Sequence, residues 1–342
     1  MTDEPKQHER RIRYSGTHPK KFNEKYKELN PEKYQDEIEK IKGRGHTPAG
    51  SHRPICVEEI CEVLRLKPGM TGIDCTLGYG GHSSDILLRI LPGGALIGMD
   101  VDPIEIIKTE KRIRDNGYDE SVFMARHMNF SEIESCLEVY PEGFDFILAD
   151  LGVSSMQLDT PDRGFSFKNP APLDLRLNPD AGETAAQLLM TSTQAFIINI
   201  LTENADEPYA KPIAKEIVSY RTHCQTTDGL AKIIINALQK NGIKADDAKP
   251  SIQRTFQALR VEVNHEFTVL DKLLQSIPRC LNPKGRVAIL TFHSGEDRRV
   301  KKSFKEYEEN GTFSECVRRP IRPSFEEQHD NPRSSSAKLR WA

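Results

Sequence analysis

A short apolar run, Thr71-Gly72-Ile73-Asp74-Cys75, empties into a glycine turn, Gly78-Tyr79-Gly80-Gly81, and then into a helical pattern from His82 to Leu91. Few folds accommodate that order. A buried strand that turns on glycines straight into a helix is the opening unit of a parallel sheet, because a parallel neighbour can only be reached through a crossover. The rest of the first half keeps the alternation. An amphipathic stretch, Ile55 to Leu66, stops at Pro68-Gly69 and precedes the run. After it come a second apolar run, Ala95-Leu96-Ile97-Gly98-Met99, ending at Asp100, a helix from Pro103 to Asp115, and short strands at Val122 to Met124 and Phe144 to Ala149. Strands separated by helices imply a sheet covered on both faces, so the chain reads as an α/β, Rossmann-like doubly wound domain.

After Asp150 the alternation stops. A loop to about Asp180 leads to helical stretches near Glu183–Met190, Gln194–Glu203, Pro208–Tyr220 and Asp228–Lys240, which read as an all-helical insertion. One long helix, Ile252 to Leu274, returns the chain to the sheet, and a strand from Arg286 to Thr291 closes it. The expected organisation is therefore a charged arm (1–50) with a short helix from Pro31 to Lys42, two sheet-forming segments (51–160 and 251–310) around a helical substrate-recognition insertion (161–250), and a basic tail (311–342).

The charges are distributed unevenly. Net charge is −3, yet residues 1–45 hold 12 Lys and Arg against 9 Asp and Glu, and residues 298–342 hold 11 against 7. Basic ends on an acidic body fit segments that follow a phosphate backbone, and they fit solvated tails equally well. The seven cysteines are scattered with no Cys-x-x-Cys pair, and no two histidines stand at ligand spacing, so neither disulfides nor a metal is expected. No apolar run approaches the ~18 residues of a membrane span and Met1-Thr2-Asp3-Glu4-Pro5 opens no signal peptide, so a cytoplasmic protein without a membrane partner is expected.

Chemistry concentrates where the strands end. Glycines between a strand and a helix let a nucleotide-type cofactor approach the backbone, and Asp100, at the end of the next strand, can accept both hydrogens of a ribose diol. This spacing leaves NAD and S-adenosylmethionine both open, although Ser83 stands where a dinucleotide fingerprint wants its third glycine; a solvated strand-end carboxylate is the plain alternative for Asp100. Asp150, opening Asp150-Leu151-Gly152-Val153-Ser154-Ser155-Met156-Gln157, lies at the mouth of another strand, where a carboxylate can accept a hydrogen bond from a weakly nucleophilic amine or can merely cap a turn. Gln253, Gln257, Arg260 and Asn264 form one polar stripe at i, i+4, i+7 and i+11, facing either solvent or RNA. His293, Glu296, Asp297 and Arg298 follow a strand end and could hold a base by its edges or fix a turn as an ion-pair cluster. Phe165 and Phe167 could stack a splayed base or pack a loop.

Taken in order, the loop Thr76 to Ser83, the Asp150 to Asp159 stretch, Arg163-Gly164-Phe165-Ser166-Phe167, Pro172-Leu173-Asp174-Leu175-Arg176, Arg254 to Arg260, Phe292-His293-Ser294-Gly295-Glu296-Asp297-Arg298 and Asn331-Pro332-Arg333 resemble the signatures of the 16S rRNA cytosine-N4 methyltransferases, the RsmH or MraW family. The resemblance runs from about His52 to the C-terminus. It implies an S-adenosylmethionine-dependent methyltransferase acting on 16S rRNA of the small ribosomal subunit, with cofactor contacts on Gly80, Gly81, His82, Asp100, Phe130, Asp150 and Gln157. Without it Phe130 reads as core. Substrate contacts are expected on Arg260, Asn264, His293, Glu296, Asp297 and Arg298, and a catalytic role toward the amine on Asp150 is added from chemistry. Met156 stands where the family has proline, Gly295 where it has leucine, and the arm 1–50 has no counterpart in its commonest members, which suggests a second-copy member. Rival readings are methylation of another RNA, an NAD-dependent oxidoreductase, and a ribosome-assembly module that binds cofactor without catalysis. The oligomeric state is left open.

Overall fold

The computed structural model describes residues 54–342; the expected arm 1–50 and its short helix lie outside the described residues. The first half alternates as expected: α1 (Val57–Leu64), β1 (Thr71–Asp74), α2 (Gly81–Ile90), β2 (Ala95–Asp100), α3 (Pro103–Asp115), β3 (Phe123–His127), a 3-10 segment (Phe130–Glu138) and β4 (Phe144–Asp150). Six strands form one sheet in the order β3-β2-β1-β4-β5-β6. β1 to β5 are mutually parallel, and β6 pairs antiparallel with β5. The chain moves outward from β1 through β2 to β3, then returns to place β4 on the other side of β1. The crevice between β1 and β4 is thus the switch point, where open α/β sheets bind ligands at their carboxyl ends.

The period-2 geometry of each strand divides its side chains between two cores. Ile97, Met99, Ile147, Ala149, Val287 and Ile289 pack on one face with Leu270, Leu273, Leu274 and Ile277. Leu96, Leu148, Ala288 and Leu290 pack on the other with Ile60, Leu64, Ile86, Leu87 and Ile90. All seven cysteines are buried as free thiols. Among the described residues no helix is long and apolar enough to cross a membrane.

Beyond β4 the chain is helical: α4 (Ser155–Asp159), α5 (Ala185–Thr191), α6 (Gln194–Ala205), α7 (Ala210–Ser219), α8 (Thr227–Gln239) and α9 (Lys249–Val263). These helices have a core of their own, in which Leu189, Ile197, Leu201, Ile213, Ile217, Leu230 and Ile234 meet Phe256 and Leu259 of α9. The single long helix expected from Ile252 to Leu274 is therefore two. α9 ends at Val263, His265 takes a left-handed backbone (φ 51°), and α10 (Glu266–Cys280) begins. Asn264 marks the break: its Oδ1 accepts from Leu177 N (2.7 Å) and its Nδ2 donates to the carbonyls of Leu175 and Arg260 (both 2.8 Å). The apolar repeat runs through the break because both halves bury a face, α9 among the helices and α10 against the sheet.

β5 (Leu281–Thr291) starts earlier than expected and does not close the sheet. After α11 (Ser294–Glu309) and α12 (Phe325–Asp330), β6 (Lys338–Trp341) adds an edge strand that pairs Leu339 with Leu290. Arg340 there is 4% exposed, its charge met by Asp297 of α11 at 2.7 Å.

Candidate active site

Three carboxylates end three neighbouring strands: Asp74 on β1, Asp100 on β2 and Asp150 on β4. Between them runs the glycine loop. Gly80 has φ 77° and a Cβ there would meet Thr109 Cγ2 at 2.7 Å, while one at Gly81 would meet Pro54 Cγ at 2.4 Å, so both positions exclude any side chain. Arg112 lies over the Tyr79 ring at 3.4 Å and donates to the Tyr79 carbonyl, closing the outside of the loop.

Asp74 organises the interior. Fully buried, it accepts from Ser83 Oγ (2.6 Å) and Thr76 N (3.1 Å); burial raises its carboxyl above the ordinary range despite these bonds. Ser83, read in the sequence as a missing glycine, is thus the partner of a buried carboxylate.

Asp100 Oδ2 accepts from Gly78 N (2.6 Å) and Oδ1 from Asp102 N (2.8 Å). Each carboxylate oxygen keeps a further lone pair, so the residue fits a diol while tying the two loops together. Burial pushes its carboxyl up to about 6, against the pull of those two amides. Two results follow. Asp100→Ala weakens S-adenosylmethionine binding by about 1.5–3 kcal/mol, the range for hydrogen bonds to a charged group, and unchanged affinity in calorimetry would remove Asp100 from the site. Diol hydroxyls also bond an ionised carboxylate more strongly than a neutral acid. Cofactor affinity therefore rises as pH rises through about 6, about fivefold between acid and neutral solution; a flat calorimetric profile from pH 5 to 8 would contradict this.

Phe130 opens the 3-10 segment after β3, half-buried against the sheet core, and the neighbouring Met128 N–H donates to Asp100 O at 3.0 Å. That bond ties the chain just ahead of Phe130 to the carboxyl end of β2. Gln157, on α4, is buried and spent at both ends: Oε1 accepts from Ser154 N (2.9 Å) and Nε2 donates to Asp102 Oδ2 (2.9 Å).

That partner, Asp102, went unremarked in the sequence. It is wholly buried, its Oδ1 caps α3 by accepting from Ile104 N (2.9 Å), and its Oδ2 also pairs with Arg163 Nη1 at 2.7 Å. Burial acts to raise its carboxyl, but Gln157 and Arg163 outweigh burial and hold it low. Arg163 in turn donates to the carbonyls of Arg176 (3.1 Å) and Leu177 (2.7 Å). Asp102 thereby joins the cofactor edge to the loop on which Asn264 also fastens. The Asp-Pro pair before a helical pattern signals the cap; nothing local signals the arginine.

Asp150 sits across the crevice. Its backbone N–H donates to Thr76 Oγ1 (2.6 Å), its Oδ2 is 3.5 Å from His82 Nδ1, and its Oδ1 is buried with no hydrogen-bond partner. Burial pushes its carboxyl up to about 6, with His82 opposing and Asp74 and Glu296 adding to the rise. A carboxylate oxygen without a donor at a strand mouth is a ready acceptor for an N–H.

The expected substrate residues fall into separate groups. Arg260 grips Glu266 through two nitrogens (2.7 and 2.9 Å), and Asn264 is consumed by backbone, as described. Gln257 donates to the Asn204 carbonyl (3.2 Å), so this end of the stripe faces neighbouring chain, whereas Gln253 at its start is exposed. His293 Nε2 lies 3.2 Å from Glu296 Oε1, and Glu296 Oε2 accepts from the backbone of Phe292 (2.8 Å). Asp297 holds Arg340 and Lys338 (2.7 and 3.0 Å), binding α11 to β6. Arg298 is exposed and reaches Asp206 of the helical segment at 3.2 Å. Phe165 is buried in the helical core and Phe167 packs on Phe256, so both serve the loop's packing. Gly295 has a steric reason: a Cβ would stand 2.5 Å from Phe267 Cζ. Glu266, His293 and Glu296 do bring ligand-type atoms within 4.8 Å of one another, a cluster that the spacing of histidines gave no sign of, with Arg260 supplying positive charge to it.

Comparison with known proteins finds matches along the whole described chain. The MraW methylase family matches residues 49–342. The chain is 50% identical to "Ribosomal RNA small subunit methyltransferase H 1" of Lachnoclostridium phytofermentans, over 98% of this chain and 93% of that one. It is 49% identical to "Ribosomal RNA small subunit methyltransferase H 2" of Alkaliphilus metalliredigens, over 100% and 99%. "Ribosomal RNA small subunit methyltransferase H" of Clostridium botulinum is 39% identical and spans 84% of this chain, with 97% of its own length. On a match that spans the glycine loop, the three strand-end carboxylates and the helical segment alike, the chain belongs to the MraW methylase family.

Proposed function

We propose that the chain transfers the methyl group of S-adenosylmethionine to the exocyclic N4 amine of a cytosine in 16S rRNA, within the small ribosomal subunit and in the cytoplasm. The observation that carries the chemistry is the buried, unpartnered Oδ1 of Asp150 at the switch-point crevice; the small-subunit rRNA in the relatives' names supplies the substrate class. Asp100 holds the ribose, Gly80 and Gly81 admit the cofactor to the backbone, and Phe130 and Gln157 border it. Bound there, the cofactor supplies an electrophilic methyl on a sulfonium. Cytosine N4 is a poor nucleophile because its lone pair is delocalised into the ring. Asp150 Oδ1, accepting from the amine N–H, localises that pair and takes the proton once the C–N bond has formed and the methyl's bond to sulfur has broken, its electron pair leaving on a neutral thioether, while the fixed site supplies the orientation that lowers the barrier most. The helical segment and α11, with exposed Arg298, border the same edge and are the natural RNA-facing side. The two numbered relatives span 98% and 100% of this chain while the unnumbered one spans 84%, which favours a second-copy member whose arm belongs to that branch. Nucleoside mass spectrometry of 16S rRNA from a strain lacking the gene tests this: N4-methylcytidine is lost or reduced if the proposal holds, and loss of a different nucleoside would redirect the enzyme to another site.

A further inference from the structure

His82 is bonded in a way that its glycine-loop neighbours are not. Its ring is buried, and Nε2 lies 3.0 Å from the backbone carbonyl of Ile55. A carbonyl can only accept, so Nε2 carries a hydrogen and the tautomer is fixed. Nδ1 is thereby turned toward Asp150 Oδ2, 3.5 Å away. Two bare lone pairs facing each other at this distance would repel, and no other protein donor reaches Oδ2 among the described residues. Oδ1 of the same carboxylate is buried and unpartnered.

We infer that His82 is a positioning residue for the reaction: one proton shared between its Nδ1 and Asp150 Oδ2 pins the carboxylate so that Oδ1 alone faces the methyl acceptor. This rests on the reading of Asp150 given above and adds to it the device that aims the carboxylate. The charged and titratable groups around the pair are Asp74 on β1, Glu296 on α11 and the Cys56 thiol ahead of α1. Asp74 and Glu296 are acidic and favour retaining a proton in the pair, in keeping with the Asp150 carboxyl lying near 6.

The chemistry separates His82 from a mere wall of the cofactor site. Asparagine carries its amide on Cγ, as histidine carries Nδ1, so His82→Asn can still donate to Oδ2; His82→Leu keeps the bulk and offers nothing. At saturating S-adenosylmethionine, His82→Leu loses about 10²-fold in single-turnover rate, the size of a misaimed reacting group, and His82→Asn recovers most of it. A second readout needs neither cofactor nor turnover. In 15N-histidine-labelled protein at constant pH the His82 Nδ1 signal reports a hydrogen shared with the Asp150 carboxylate, and Asp150→Asn changes that signal. A His82 spectrum untouched by Asp150→Asn, or equal rates for the Leu and Asn variants, would each overturn the pair. Failure of the underlying reading looks different: Asp150→Asn itself would then turn over at full rate, whatever the spectra show.

Discussion

Asp150→Asn lowers the single-turnover rate of RNA methylation by about 10²–10⁴-fold, the contribution of a positioned acid–base group. The substitution keeps the size of the side chain but lets an amide present a donor where the amine needs an acceptor. The proposal places Asp150 beside the cofactor as well, so the loss is read at saturating S-adenosylmethionine, where weaker binding no longer limits the rate. The deficit persists there if Oδ1 acts on the amine. Recovery of the full rate at saturation would confine Asp150 to cofactor binding and leave orientation as the source of catalysis.

Asp102→Ala destabilises the protein by about 3–5 kcal/mol at neutral pH, the cost of removing one partner from a buried ion pair. Four donors converge on this carboxylate: the backbone N–H groups of Ile104 and Glu105, Gln157 Nε2 and Arg163 Nη1. Without it the Arg163 charge keeps only two carbonyls, and α3 loses its cap. The pH dependence has a definite sign. Asp102 is held below its ordinary value in the folded protein, so its contribution is present above the unfolded carboxylate's pKa of about 4 and is lost as pH falls through the folded value. In urea unfolding the gap between wild type and variant is therefore widest at neutral pH and narrows below about pH 4. A gap under about 1 kcal/mol at pH 7 would show that Asp102 does not join the two regions energetically.

The strand, turn and helix units of residues 55–150 were legible because each rests on local cues: apolar runs of strand length, glycines at the turns, and carboxylates at strand ends. The break at Asn264 was not, since α9 and α10 bury their apolar residues against different neighbours yet keep one 3.6-residue period. β6 escaped because Lys338-Leu339-Arg340-Trp341 is four residues long and its arginine is neutralised by Asp297, 43 positions earlier. The same holds within the site. Asp100 and Asp150 could be placed from position alone, but the Arg163 partner of Asp102 and the Ile55 carbonyl that fixes His82 are long-range contacts with no sequence signature. The polar stripe Gln253, Gln257, Arg260 and Asn264 keeps its alternatives open for the same reason: periodicity gives the face of a helix and not what lies opposite it.

The central claim is that the switch-point crevice methylates a cytosine amine. Purified enzyme, S-adenosylmethionine carrying a labelled methyl group, and small ribosomal subunits from a strain lacking the gene test it most directly, with the rRNA then digested to nucleosides. The label is expected to enter as N4-methylcytidine, and Asp150→Asn to slow its incorporation in a single turnover by about 10²–10⁴-fold. Label appearing on another nucleoside, or none transferred by a folded enzyme that binds the cofactor, would contradict it.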